Sequence, residues 1–500
     1  MTSTINLETI SGERIEELQQ IAGDLMEKEK QPIATGFFVV GPTYQSDGGD
    51  PEAKAAAKAE TLSDRIDTFS RAFLGLTAAC ARCHDHKFDP ISIEDYYALA
   101  GIFNNTRNTD SNVGTKIEID AYQASQKSIS DQNKSINSYL DSESKRLSTN
   151  RKEIEKNLPE ESTAKLVEMR AELENLKTQL PPKPATAHVL SDSGNADIHV
   201  AIRGDLRRKG KKVPRRFLEI ISGKKAKPYT KGSGRLQLAQ SVTAPDNPLT
   251  ARVIVNRVWG WHFGDALVRT PSNFGIIGEK PSHPELLDWL AADLVENGWS
   301  LKQLHRKILL SSTWQMSSAY DHEKFTLDGD NRLLWRASPR KLEVEAWRDT
   351  LLAVTGELDR KVGGPPVTEI LNSNRRTLYA TISRTGDRFR SDAFLRLFDF
   401  PAAVSTSAKR SISTVPQQYL FMMNSAFMNN RATSLGTWLH EHDSEMNLRI
   451  ELAYNKLYSR PPEAVEMELA HNWLGESPTL EDWNQYAQVL LSAHELIQIP

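Results

Sequence analysis

Residues 61–79, TLSDRIDTFSRAFLGLTAA, lead directly into the first of two closely spaced cysteines, Cys80. Apolar side chains recur in this stretch at steps of three and four residues, which is the period of one face of an α-helix. They are Leu62, Ile66, Phe69, Phe73 and Leu76. The spacing predicts an amphipathic helix that ends at Cys80.

The five residues Cys80-Ala81-Arg82-Cys83-His84 have the spacing of a c-type haem attachment loop. Two thiols three residues apart can reach the two vinyl groups of one porphyrin, and the adjacent histidine can bind the iron. Cys80 and Cys83 are the only cysteines in the chain, which excludes a distributed disulfide framework. We therefore predict thioether bonds at Cys80 and Cys83 and His84 as the haem iron ligand.

A second helix is expected after the loop, because Ser92-Ile-Glu-Asp95 has the pattern of a capping box. The cysteines would then lie on a loop held between two helices. A further helix is predicted upstream, around Glu13–Glu29.

The same loop allows two other interpretations. Cys80, Cys83 and either His84 or His86, with Asp89 nearby, have the ligand types of a tetrahedral zinc site; the alternative zinc set is Cys80, Cys83, His86 and Asp89. The cysteines could also form a dithiol redox pair. A low-spin cytochrome needs a second axial ligand, and the candidates lie far from the loop: Met26, Met316, Met422, Met423 and Met428.

Residues 122–181 are polar and periodic, with an apolar seam at 3-4-3-4 spacing. That seam comprises Leu166, Met169, Leu173, Leu176 and Leu180, and a looser one comprises Ile129, Ile136, Leu140, Leu147 and Ile154. Asn157-Leu-Pro-Glu-Glu161 separates the two, so we predict an antiparallel helical hairpin. It is interpreted as a structural arm through which the protein could dimerise.

A small β element is expected after Pro181-Pro-Lys-Pro184. Residues 197–203, DIHVAIR, alternate between apolar and polar, which predicts a strand with Ile198, Val200 and Ile202 on one face. The loop 203–216 is rich in Arg and Lys. It is interpreted as a solvated loop, with contact to an anionic polysaccharide as the alternative.

From about residue 245 the chain is predicted to be α-helical. Ser282-His-Pro-Glu285 and Ser300-Leu-Lys-Gln303 have the pattern of helix caps, and Gly298 is expected to end the helix between them. Seven tryptophans are expected to contribute to a helical core: Trp259, Trp261, Trp289, Trp299, Trp314, Trp335 and Trp347. Two sets of polar residues could line a pocket or form ion pairs and caps: Asn256, Arg257, His262, His283 and Asp288, and Arg375, Arg376, Asp399, Arg410, Gln418 and Asn424.

Whole-chain composition narrows the classes of function. The 500 residues include 62 basic and 65 acidic side chains, so the net charge of -3 does not favour nucleic acid as a partner. No apolar run is long enough for a transmembrane segment, and the N-terminus lacks the pattern of a signal peptide. No Ser–His–Asp elbow, phosphate loop or HExxH motif is present, so the sequence identifies no catalytic residue and leaves enzymatic activity open.

Several segments together resemble two planctomycete domain families. Residues 71–90, RAFLGLTAACARCHDHKFDP, and 95–103, DYYALAGIF, look like the planctomycete cytochrome-like domain. The planctomycete-specific domain that usually follows is resembled by five segments: 248–259, 269–275, 283–290, 398–401 and 414–424. We expect a cytochrome-like domain over 1–120, a helical spacer over 121–182, a β-containing linker over 183–244 and an α-helical domain over 245–500.

The resemblance implies an exported, periplasmic or cell-surface protein from bacteria rich in polysaccharide-degrading enzymes. Since little sequence precedes the matching segment, the chain is interpreted as an N-terminally truncated member. The fold is expected to be mainly α. The expected function is a haem c-binding protein with an electron-transfer or redox-accessory role that works with a redox partner; the alternative is a zinc-stabilised scaffold without redox activity.

Overall fold

The computed structural model describes residues 31–46, 48–223, 226–383, 388–403, 406–442 and 445–499. It is mainly α, with short antiparallel strand pairs, and so confirms the predicted fold class. The helix predicted around Glu13–Glu29, and with it Met26, lies outside the described residues.

The first half of the chain contains the longest helices. They are α1 (Pro51–Phe69), α2 (Ile93–Asn104), α3 (Lys116–Arg146), α4 (Glu160–Thr178), α5 (Glu219–Ser222) and α6 (Arg235–Val242). The second half is built from α7 (Thr250–Phe263), α8 (Pro284–Glu296), α9 (Leu301–Leu309), α10 (His322–Leu327), α11 (Val344–Val354), α12 (Arg390–Leu397), α13 (Pro416–Asn424), α14 (Ala426–His442), α15 (Met446–Tyr458), α16 (Ala464–Leu474) and α17 (Leu480–Leu491).

The described strands form antiparallel pairs. β1 (Thr106–Asn112) pairs with β2 (Thr186–Asp192), β3 (Ile198–Ala201) with β4 (Lys209–Val213), and β5 (Arg340–Lys341) with β6 (Gln498–Ile499). By their contacts the described residues form two units. One comprises residues 31–40 together with Asn105–Gly194, and the other comprises the described residues of Gly41–Asn104 and from Asn195 onward. The four predicted domains stay a prediction.

In the smaller unit, β1 and β2 lie near the two ends of the segment Asn105–Gly194. The register from Thr106↔Asp192 to Asn112↔Thr186 brings these two ends together. The sequence analysis missed β1, because Thr-Arg-Asn-Thr-Asp-Ser-Asn has no apolar alternation. Such a strand is specified by its partner rather than by its own sequence.

The predicted hairpin is confirmed as α3 and α4. Gln132 donates to the Met169 carbonyl oxygen at 2.9 Å, and Ser162 donates to Glu143 at 2.8 Å, so the two helices run antiparallel. The buried seam consists of Ile136, Leu140, Ile154, Leu166 and Leu173. Because each helix buries its seam against the other, the hairpin packs without a second copy, and dimerisation through it stays a prediction.

In the larger unit, β3 forms where a strand was predicted, but its alternation breaks. Ala201 is buried beside Val200, and Ile202 is 38% exposed. The physical reason is an irregularity in the register between His199 and Ala201, after which the chain turns through Arg203 at φ 54°. A bulge shifts the following side chains to the other face of a strand.

Much of the basic segment 203–216 is neutralised internally. Lys211 pairs with Glu94 at 3.0 Å, and Arg207 pairs with Asp205 at 3.1 Å. Arg215 and Arg216 are buried, at 3.0 Å from Asp197 and 2.5 Å from Asp95. Contact with an anionic polysaccharide through this segment stays a prediction.

The two predicted caps in the C-terminal half differ in outcome. The Ser300 side chain accepts a hydrogen bond from the Gln303 amide at 3.4 Å and caps α9, as predicted. The cap at Ser282 was wrong: α8 begins at Pro284, its N-cap is His283, and no side chain caps it. Proline at the first position has no amide hydrogen to satisfy, so this helix loses less without a cap.

The expected tryptophan core was wrong for three of the seven residues. Trp259 and Trp347 are 4% and 1% exposed, but Trp261, Trp289 and Trp314 are 63%, 58% and 43% exposed. Aliphatic and phenylalanine side chains form most of the two cores in this half, one around α7–α9 and a larger one around α11–α17. Met422 and Met428 are buried in the larger core, which leaves them unsuited to bind iron at a distant loop.

No described helix has both the length and the apolar character that crossing a membrane requires.

From a histidine pair between α7 and α9 we predict that the folded protein loses stability in acid. The His262 Nε2 lies 2.7 Å from the His305 Nδ1, so one proton lies between the two rings. Burial, His305 and Arg340 lower the pKa of His262 below 6.5. In the unfolded chain His262 therefore takes up its second ring proton at a higher pH than in the folded chain. We expect the stability contributed here to be present above about pH 6.5 and to be lost as the pH falls from there toward the lowered pKa of the folded state.

The measurement is the thermal unfolding midpoint between pH 7.5 and pH 5.5. The His262→Gln variant should show a smaller fall than the native protein, whereas the matched variant at the exposed residue His322, His322→Gln, should fall as the native protein does. Equal falls in the native protein and in His262→Gln would contradict the assignment.

Candidate functional site: the Cys80–His84 loop

The helix that leads into the loop begins with a strong cap. Asp50 accepts hydrogen bonds from the amides of Glu52 and Ala53 at 3.3 and 3.0 Å, and Pro51 stands at the first position. The predicted helix ends earlier than expected, at Phe69, and one π-helical turn follows over Ser70–Leu74. Gly75, at φ 61°, then reverses the chain into the cysteine loop.

Cys80 lies in a short 3-10 helix, Ala78–Arg82, and Cys83 follows it as the C-cap residue. Side chains three residues apart lie on the same side of such a helix. Ala78 and Ala81 are both 0% exposed, whereas Cys80 and Cys83 are both exposed thiols. The two small alanines therefore anchor the turn on its buried side, and both cysteines belong to its exposed side.

His84 is exposed beside the second thiol. Its Nδ1 lies 2.6 Å from the carbonyl oxygen of Asp85, so Nδ1 carries the proton that it donates there. Among the described residues nothing bonds to Nε2. A metal-binding histidine commonly has this arrangement, with one nitrogen held by a carbonyl and the other presenting its lone pair.

His86 has a different, structural role. Its Nδ1 accepts hydrogen bonds from the amides of Phe88 and Asp89 at 3.2 and 2.8 Å. Because Nδ1 is an acceptor, Nε2 carries the proton, which it donates to Thr77 Oγ1 at 2.9 Å. Both ring nitrogens are in use, and the side chain is 4% exposed.

Asp89 is likewise buried, at 4% exposure. Its Oδ1 accepts a hydrogen bond from the Ile276 amide at 2.8 Å, and Oδ2 has no hydrogen-bond partner among the described residues. Oδ2 lies 3.7 Å from His86 Nδ1, but that nitrogen accepts two amide protons, so the contact is not an ion pair.

The structure thus divides the residues of the predicted sites into two groups. Cys80, Cys83 and His84 are accessible, whereas His86 and Asp89 are bonded inside the protein. Within the described ranges, no group of three or more His, Cys, Asp or Glu side chains is arranged to hold a metal ion. The alternative zinc set is therefore not assembled in this conformation.

Two neighbours of the loop were missed by the sequence analysis. Gly204, at φ 77°, lies so close to Cys83 that a Cβ there would be 2.6 Å from the sulfur. The Tyr97 hydroxyl donates to the Arg82 carbonyl oxygen at 3.3 Å, and burial raises the pKa of this phenol. The sequence signal that could have indicated a turn at Gly204 is the Arg203-Gly204 dipeptide within the basic segment.

The polar residues that the sequence analysis selected in the C-terminal half have different roles in the structure. Asn256 bonds both backbone groups of Val268, at 2.7 and 2.9 Å, and is structural. Asp288 pairs with Arg252 at 2.6 Å. Arg257, Asp399 and Arg410 line one cavity.

Two segments of the chain match known protein families. Residues 234–474 match PSD1, a protein of unknown function (DUF1553), and residues 17–108 match PSCyt2, a protein of unknown function (DUF1549). Both are planctomycete-type domains, and they occur in the expected order. No curated protein and no solved structure matches the chain.

Within the larger unit, the PSCyt2-like and PSD1-like segments interlock beside the cysteine loop. The Phe274 amide donates to the Gly75 carbonyl oxygen at 2.7 Å, and Arg257 donates to the Arg71 carbonyl oxygen at 2.9 Å. Together with the Ile276–Asp89 bond, these contacts fix both sides of the loop. The PSD1-like segment therefore helps to hold the PSCyt2-like loop in place.

Gly275 lies at the centre of this contact and yields a prediction. A Cβ on Gly275 would lie well under 3.0 Å from both carboxylate oxygens of buried Asp89. We expect Gly275→Ala to lower the free energy of unfolding by about 1–3 kcal/mol, because neither side of the contact has room to move. Thermal unfolding measures this effect.

Gly48→Ala is the matched control, since a Cβ on Gly48 meets nothing within 4 Å. Equal unfolding midpoints for the two variants would show that Asp89 is not confined by the PSD1-like segment.

Proposed function

We propose that this protein binds haem c covalently through Cys80 and Cys83, with His84 as the iron ligand, and serves an electron-transfer or redox-accessory role. The observation that supports this most strongly is the exposure of both cysteines on one short turn, beside a histidine with an accessible Nε2. The engagement of His86 and Asp89 elsewhere favours this set over the alternative zinc set.

The roles of the residues follow from their positions. Cys80 and Cys83 are both exposed, three residues apart at the end of the 3-10 helix, and this spacing would let both sulfurs reach the edge of the same planar group. Each thiol would add across one vinyl group, its sulfur bonding to one carbon and its hydrogen going to the other, which balances without an oxidant. The Asp85 carbonyl oxygen orients His84 and keeps the Nε2 lone pair available.

Haem at this position would supply one-electron chemistry at the iron. The chain's own contribution is to hold the group at an exposed loop, where a redox partner can approach. Arg82 lies between the two cysteines in the chain and pairs with Glu60 at 2.7 Å. This ion pair and the hydrogen bond from Tyr97 to the Arg82 carbonyl oxygen keep the loop backbone in place.

The test is expression of the full chain together with the cytochrome c maturation machinery. We expect the intact protein to gain the mass of one haem and to retain its absorbance through acid–acetone extraction. A Cys80→Ala/Cys83→Ala double variant should lose both signals. His84→Ala should keep the covalent mass but lose the absorption spectrum of histidine-bound iron.

Metal analysis of the same samples separates this proposal from the zinc alternative. Bare protein mass together with stoichiometric zinc that is lost in Cys83→Ser would refute haem attachment and favour the zinc scaffold. Bare mass with a Cys80–Cys83 disulfide that forms reversibly would refute both and indicate a dithiol pair.

A further inference from the structure

A cavity of about 810 Å³ lies in the larger unit, between the C-terminal end of α7, strand β5, the start of α11 and the segment that follows α12. Small-molecule sites in proteins have volumes of roughly 300–1,000 Å³. All of its lining residues are outside the cysteine loop, so the site is independent of the proposed haem function.

Three cations line this cavity without a carboxylate within ion-pair distance in the described part of the chain: Arg257, Arg340 and Lys341. Arg340 donates to the Trp261 carbonyl oxygen at 2.7 Å, and Lys341 donates to the Ser413 carbonyl oxygen and to Gln418 at 2.7 and 2.9 Å. These acceptors are neutral, so they orient the cations without cancelling the charge.

Arg257 is the most constrained of the three. It donates to the Arg71 carbonyl oxygen at 2.9 Å, and its buried Nε has no hydrogen-bond partner among the described residues. Burial lowers the pKa of both Arg257 and Lys341, and Asp399 partly offsets this for Lys341. Buried cations without a counter-ion are costly, and an anionic ligand would supply that counter-ion.

The acidic residues of the cavity are already occupied. Asp265 pairs with Lys409 at 2.6 Å, and Glu343 pairs with Arg410 at 3.4 Å. The Asp399 carboxylate accepts hydrogen bonds from Ser413 N and Oγ at 2.8 and 2.6 Å. The charge left for a ligand is therefore positive.

One wall of the cavity is apolar. Leu342, Val344, Trp347 and Phe398 form it, and the exposed ring of Trp261 lies at the same site. The 63% exposed ring of Trp261 therefore gives the cavity an accessible apolar surface beside its cations.

We propose that this cavity binds a small organic anion, whose carboxylate or phosphate group is held by Arg257, Arg340 and Lys341 and whose apolar ring packs on Trp261. The planar guanidinium groups suit carboxylate and phosphate oxygens alike. The apolar wall selects ligands that carry a ring over inorganic ions.

The test is isothermal titration calorimetry of the full chain with four probes. Benzoate and phenyl phosphate combine a ring with an anion, benzyl alcohol has the ring alone, and inorganic phosphate has the charge alone. We expect at least one ring anion to bind about 10-fold more tightly than either of the last two, since a charge-assisted hydrogen bond is worth roughly that factor. Comparing benzoate with phenyl phosphate identifies the anionic group.

Substitutions of the lining residues test whether the ring anion binds in this cavity. Arg340→Gln and Trp261→Ala should each weaken the ring anion about 5–10-fold, whereas the matched exposed residues in Arg332→Gln and Trp473→Ala should leave it unchanged. Circular dichroism and unfolding midpoints check that all four variants fold. Inorganic phosphate binding as tightly as the ring anions, no binding of either ring anion, or equal losses in the matched variants would overturn the proposal.

Discussion

Replacing Asp95 with alanine is expected to lower the free energy of unfolding by about 3–5 kcal/mol, because it leaves the buried Arg216 without its hydrogen-bonded counter-ion. The remaining carboxylate near Arg216 is that of Glu219, which lies 3.7 Å away and is 40% exposed. Asp95 is 1% exposed at the start of α2, and one of its oxygens lies 2.5 Å from Arg216. Its carboxylate also accepts hydrogen bonds from the Ser92 amide and hydroxyl and from the Glu219 amide, at 3.0, 2.9 and 3.0 Å. The effect should appear as a shift of the guanidinium unfolding midpoint.

A double-mutant cycle tests the cause. If the loss comes from the unpaired charge, Arg216→Met in the Asp95→Ala background should recover part of the stability, because an apolar side chain does not need a counter-ion. Asp330→Ala is the matched control, since the Asp330 side chain is 79% exposed, and we expect it to change stability by less than about 0.5 kcal/mol. Additive losses in the cycle would show that the ion pair is not the source.

Arg348→Ala is expected to cost about 3–5 kcal/mol, for a related reason. Arg348 lies on α11 with a fully buried side chain and binds a segment that has little regular structure. It donates to the carbonyl oxygens of Ile370 at 2.5 Å and Arg375 at 3.0 Å, to Thr377 Oγ1 at 3.1 Å, and to the Ser373 carbonyl oxygen. Its removal leaves these buried acceptors unsatisfied and opens a cavity.

The charge of Arg348 persists at neutral pH, although burial lowers its pKa to about 10. Arg348→Lys keeps the charge but not the planar set of donors, so it should lose an intermediate amount of stability. Arg332→Ala, at a half-exposed arginine that lies 3.6 Å from Glu279, serves as the control. If lysine restored native stability, charge alone would account for the role of Arg348.

Asp95 and Arg348 show which contacts can be predicted from the sequence and which cannot. The capping pattern Ser92–Asp95 was readable, because its partners lie three residues apart. The partner that makes Asp95 important, Arg216, follows 121 residues later, and it was first interpreted as part of a solvated basic loop. A charge run looks the same in sequence whether its members face water or a buried carboxylate.

The same contrast applies to the strands and the aromatic residues. The hairpin α3–α4 was predicted from its apolar period, whereas polar β1 was not, because its pairing with β2 is made about 80 residues away. Seven tryptophans were expected in a core, yet Trp261 is exposed beside a cationic cavity. Composition indicates that a large apolar side chain is present, and only packing decides whether other side chains cover it.

For the cysteine loop, the sequence determined the spacing of Cys80, Cys83 and His84 and the helices around them, since short-range spacing along a helical turn is a local property. The tertiary structure alone decided that His86 and Asp89 are turned inward, held by Thr77 and by the amide of Ile276. It also placed Gly275 against Asp89, and it brought together in one cavity three cations that have no carboxylate within ion-pair distance among the described residues. These features depend on contacts between residues far apart in the chain. Because a buried polar group is costly without a hydrogen-bond partner, the partner that the fold supplies decides the role of each such residue.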